Sequence, residues 1–87
     1  MSEYVEARYV KSVLREARSV EPEVAATLIN GLLRDLSSGQ RVGEASEQVL
    51  TSIRSLALSL AHRRSIHASE WDAVTEATDA WCQSAFE

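Results

Sequence analysis

The chain has 87 residues, of which 45% are hydrophobic and 25% charged, and a formal net charge of −4 at pH 7. A composition of this kind excludes a disordered chain and indicates one folded domain, 1–87, that buries only about 60–65% of its unfolded surface. With an expected radius of gyration of about 12 Å, it has no room for a deep substrate cavity beside its core.

Three glycines and one proline leave few places to turn, so long helices with short connections are expected. The first is expected over residues 3–19. Val5, Tyr9, Val10, Val13, Leu14, Ala17 and Val20 recur at helical spacing and form its inward arc. Arg8, Lys11, Arg15 and Arg18 follow one another at steps of three, four and three, so they share the opposite face, with Tyr4 at its N-terminal end. Glu16 stands to the flank.

Val20-Glu21-Pro22-Glu23 breaks the pattern. Proline suits the first turn of a helix, where its missing N–H has no partner to lose, and both glutamates favour the positive end of the new helix. A second helix is expected over 22–37, with Val24, Ala25, Leu28, Ile29, Leu32, Leu33 and Leu36 inward. Gly31 lies within it, either for a close helix crossing or merely tolerated. The stretch from Ser37 to Gly43 reads as a loop, with Gly39 placed for the left-handed residue after a helix end.

The third helix, expected over 44–66, has the strongest stripe. Val49, Ile53, Leu56, Ala57 and Leu60 stack on one side, and Leu50 and Ala61 widen it. It is expected to be the longest and most buried helix, with the others laid against it. Leu58 points away from the stripe, among Thr51, Arg54, Ser55 and His62. Ser69 followed three residues later by Asp72 resembles a capping box and marks a fourth helix over 69–86. Trp71, Val74, Ala77, Thr78, Trp81, Cys82 and Ala85 line its inner side, and Asp72, Glu76 and Asp79 its outer side. Four amphipathic helices with short turns give an all-α, up-down four-helix bundle. No internal repeat or low-complexity tract interrupts it.

Charge is unevenly placed. From Ser65 onward there are acids but no Lys or Arg, whereas the outer row of helix one is wholly basic. These two faces could meet in a homodimer, or each could face solvent.

No residue pattern points to catalysis. His62 and His67 are five apart, hence about 140° apart on one helix, and cannot share a metal ion. Cys82, the sole cysteine, excludes an internal disulfide and reads as a small buried apolar residue. No Gly-x-Ser-x-Gly elbow, metal-binding helix motif or Gly-rich phosphate loop occurs. No cofactor, no metal site and no enzymatic activity are expected. The opening residues carry no basic-then-apolar signal, and no apolar run approaches the roughly 20 residues that span a bilayer, so a soluble cytoplasmic protein is expected.

The expected function is therefore that of a small interaction module: an adaptor, regulator or inhibitor that occupies a surface on another protein. A phage- or plasmid-borne inhibitor of a host system would fit. Its candidate partner-binding residues are Tyr4, Arg8, Lys11, Arg15, Arg18, Arg54 and Leu58, with Asp72, Glu76 and Asp79 as an acidic face. The alternative is a nucleic-acid-contacting subunit of a larger complex, in which the basic row tracks phosphates and Tyr4 stacks on a base. The sequence pI near 5.1 weighs against that alternative.

Overall fold

The computed structural model describes residues 3–38, 43–62 and 65–86. They form four α-helices, α1 (Glu3–Ser19), α2 (Pro22–Ser38), α3 (Glu44–Ala61) and α4 (Ala68–Phe86), and no strand occurs among the described residues. The radius of gyration is 12.1 Å. Each helix packs on two others, in the order α1–α2, α2–α3, α3–α4 and α4–α1, so the four close a ring around a shared core. The expected four-helix bundle is what the chain forms. The third helix is not the longest, since α3 has 18 residues and α4 has 19, but α3 does bury the most positions, with Ser46, Val49, Ile53, Leu56 and Ser59 inside.

The reason lies at the end of α3. It stops at Ala61 rather than at 66, and Ala61 itself is exposed. His62 closes the helix, its N–H directed at the carbonyls of Leu58 and Leu60. Ile66, which extends the apolar pattern in sequence, instead packs on the core from the segment before α4. At the other end, Gly43 precedes α3 with φ of 156°, a region costly for residues with a Cβ. Its carbonyl accepts from the Glu47 N–H at 3.2 Å and from Ser46 Oγ at 3.1 Å. Gly39, the expected left-handed residue, lies outside the described residues.

The cap of α4 also differs from expectation. The helix begins at Ala68, and the residue before it, His67, acts as the cap. Its carbonyl accepts from the N–H groups of Glu70 and Trp71, at 3.0 and 3.3 Å. Its own N–H donates to Glu70 Oε2 at 2.9 Å. This is the acidic half of a capping box, set two residues earlier than the Ser69 and Asp72 reading. His67 therefore serves the start of α4 rather than the end of α3.

The core contains Val10 and Leu14 of α1, Ile29 and Leu32 of α2, Val49, Ile53 and Leu56 of α3, and Trp71, Val74 and Trp81 of α4. Helix α1 is turned slightly from its expected arc. Ala7 is fully buried, while Val5 and Tyr9 are 50% and 57% exposed. Ala17 of α1 and Ala25 of α2 are buried with Ala7. Val24 is likewise exposed rather than inward. Ser46, Ser59 and Thr78 are the buried polar residues among those described; Thr78 donates to the Val74 carbonyl of its own helix at 2.6 Å, and Ser46 to the carbonyl of Gly43 just before α3. Among the described residues no buried side-chain N or O atom lacks a hydrogen-bond partner.

Candidate functional site

The ring closes where α1 meets α4, and that seam joins the two charged faces of the sequence within one chain. Lys11 Nζ lies 2.6 Å from Asp79 Oδ1, and Arg18 Nη1 lies 3.1 Å from Asp72 Oδ1. The numbers rise along α1 as they fall along α4, so the helices are antiparallel and the two pairs sit almost two helical turns apart on α1. Meeting across a dimer and facing solvent were the two arrangements the sequence allowed. The chain adopts a third, an intramolecular one. These pairs are exposed, so each contributes only about 0–1 kcal/mol, and their larger effect is to hold Lys11 and Arg18 in place.

The other members of the row have different surroundings. Arg8 and Arg15 are exposed, and no ion pair involving either occurs among the described residues. Arg8 is poised over the Tyr4 ring, with its guanidinium carbon 5.9 Å from the ring centroid. Tyr4 in turn packs against Phe86, with ring centroids 5.2 Å apart and tilted by 54°. The expected basic row is thus a row of two kinds: Lys11 and Arg18 are tied to α4 carboxylates, whereas Arg8 lies over Tyr4 and Arg15 is exposed, neither with an ion pair among the described residues.

One contact at the same seam has no counterpart in the sequence reading. Trp81 Nε1–H donates to Glu3 Oε1 at 2.8 Å. Trp81 is 1% exposed, so its indole finds its acceptor at the first turn of α1. A buried tryptophan needs such a partner, and that need is the only sequence signal pointing to it.

The acidic face divides in the same way. Asp72 and Asp79 turn toward α1, whereas Glu76 faces α3 across a shallow groove of about 610 Å³ whose wall on that helix includes Glu44, Glu47 and Thr51. Arg54 and Leu58 stand on the outer surface of α3, with Leu58 62% exposed. They are not brought to the α1–α4 seam.

A second cavity, of about 220 Å³, opens at the end of the bundle where α1 turns into α2. Its lining includes Ala17, Ala25, Leu60, Ile66 and Trp71, with Arg18 at its edge. The sequence gives no sign of it, because it joins residues from all four helices and from the segment before α4.

Cys82 is half-buried, and burial pushes its thiol above the ordinary value of 9.0. Lys11 opposes that shift and Asp79 adds to it. A thiol held neutral in this way is a weak nucleophile. Among the described residues no three His, Cys, Asp or Glu side chains gather to hold a metal ion. No helix among them is long and apolar enough to cross a membrane. Comparison of the chain with models of protein families, with curated proteins and with solved structures finds no match.

Proposed function

We propose that the protein is a non-catalytic interaction module that binds another protein through the outer face of α1. The observation that carries this reading is the division of the basic row. Asp79 and Asp72 hold Lys11 and Arg18 against α4, while Arg8 and Arg15, seven residues apart on the same helix, form no ion pair among the described residues. Tyr4, packed on Phe86 and stacked under Arg8, adds an aromatic edge of the kind that anchors interfaces. Arg54 and Leu58 form a smaller, separate exposed surface on α3.

A protein partner is favoured over nucleic acid by the charge balance. A phosphate-tracking face works through its uncompensated cations, and here two of the four already face carboxylates on a chain of net charge −4. An adaptor, regulator or inhibitor acting in a cell's cytoplasm fits this reading.

The test is affinity capture from the source cell with the tagged full chain and its Arg8→Glu, Arg15→Glu double variant. The expected result is a protein partner recovered by the wild type and lost by the variant, with both folded by circular dichroism. Recovery of nucleic acid without protein, or capture indifferent to the two charges, would reject the proposal.

A further inference from the structure

We propose that the cavity at the α1–α2 end of the bundle receives one large apolar side chain from an acidic segment of the partner protein. This rests on the reading of the α1 face as a protein-binding surface and names the chemistry of what it binds. The cavity measures about 220 Å³. A cavity of roughly 150 Å³ suffices for benzene, so a phenylalanine or leucine side chain fits here. Its floor is already built: Ala17, Ala25 and Trp71 are buried core residues, at 1%, 2% and 9% exposure. Leu60 and Ile66 form apolar walls, and no acidic residue among the described residues lines it.

Charge fixes the character of the occupant. Arg18 borders the cavity and is also the last member of the basic row, three residues beyond Arg15. One bond from its Nη1 goes to Asp72, at 3.1 Å. A guanidinium has five N–H donors, so Arg18 can take a second carboxylate without releasing the first. The site thus has an apolar socket, a guanidinium at its edge and, one turn along the same helix, the exposed guanidinium of Arg15, which forms no ion pair among the described residues. A segment that complements it carries a single apolar anchor flanked by Asp or Glu. A centrally placed apolar anchor in a packed, desolvated pocket is the usual arrangement of an interface hot spot.

The experiment is a titration of the ¹⁵N-labelled full chain, followed by NMR, with an acetylated nonapeptide of glutamate and alanine around one central phenylalanine. The expected result is saturable shifts at Ala17, Ala25, Ile66 and the Trp71 indole. Replacing the phenylalanine by alanine, or the glutamates by glutamines, weakens binding at least tenfold. So does the Arg15→Glu, Arg18→Gln double variant. Arg15→Glu alone, at an exposed site free of contacts with the core, weakens it severalfold and guards against a folding defect. The proposal is overturned by equal binding of the alanine peptide, by shifts confined to another face, or by no saturable shift up to millimolar peptide. It is also overturned if a nine-nucleotide oligothymidylate binds these resonances more tightly, or if light scattering shows a second copy covering them. Should the Arg15→Glu, Arg18→Gln protein still capture the cellular partner while the peptide fails, this inference falls and the interaction module stands. If no protein depends on Arg8 and Arg15, the module reading falls first.

Discussion

The indole N–H of Trp81 donates to the Glu3 carboxylate at 2.8 Å, joining the first turn of α1 to the last turns of α4. It is the polar end of a seam whose other members are the Lys11–Asp79 and Arg18–Asp72 pairs and the Tyr4–Phe86 ring contact. A chain this small has little stability to lose, so one contact at ring closure matters. Glu3→Ala leaves the indole N–H without its acceptor and is expected to cost about 1–2 kcal/mol, a drop in Tm of roughly 4–16 °C. Glu3→Gln keeps an acceptor oxygen and is expected to recover at least half of that loss. Thermal melts followed by circular dichroism decide it, and a Glu3→Ala melt equal to wild type would show the bond to be inconsequential.

Gly31 lies within α2, where a Cβ built on it meets nothing within 4 Å. No close helix crossing therefore depends on it, and of the two roles the sequence allowed, the tolerated glycine is the one present. Gly31→Ala is expected to stabilise the protein by about 0.5–1 kcal/mol, since alanine loses less backbone freedom on folding. Chemical denaturation measures this, with a raised midpoint at an unchanged slope as the expected outcome.

The start of α4 depends on Glu70, whose carboxylate accepts from the His67 N–H at 2.9 Å. Glu70→Ala is expected to destabilise the fold by about 0.5–1.5 kcal/mol, and Ser69→Ala by less than about 0.5 kcal/mol. Equal effects of the two substitutions would restore the cap that the sequence pattern suggested. Amide exchange at residues 68–72 offers a local readout, expected to quicken only in the Glu70 variant.

Burial raises the Cys82 thiol pKa above its ordinary 9.0, with Lys11 opposing and Asp79 assisting. Alkylation by iodoacetamide at pH 8 is therefore expected to run several times slower than for a free cysteine peptide. The stability effect has a defined sign. A folded-state pKa above the unfolded one gives a contribution that is complete below about pH 9 and fades as pH climbs through the folded value. Wild type should accordingly lose stability relative to Cys82→Ala only above that pH. A divergence between the two that opens in the acid range would contradict the burial argument.

Much of the fold is readable from residue spacing, and its errors have physical causes. The stripes of Val49, Ile53 and Leu56, and of Ile29, Leu32 and Leu36, are inward as their periodicity requires. In α1 the large side chains of Val5 and Tyr9 drew the arc toward themselves, whereas the position that is buried is Ala7, whose small size gives little hydrophobic signal. Helix α3 seemed longer because no proline or glycine follows Ala61, and Ile66 continues the apolar rhythm from outside the helix. The basic row and the acidic face were both visible in the sequence. Their pairing was not, because the contact between α1 and α4 comes from closing the ring and joins residues more than fifty positions apart. The end cavity was hidden for the same reason.

The division of labour along α1 is open to direct measurement. Calorimetric titration of the captured partner against Arg8→Gln, Arg15→Gln and Lys11→Gln proteins compares its three kinds of position at once. If Arg8 and Arg15 face the partner while Asp79 retains Lys11, the first two variants weaken binding at least fivefold and the third changes it less than twofold. Equal losses for all three, or none for any, would contradict that division and with it the assignment of the α1 face.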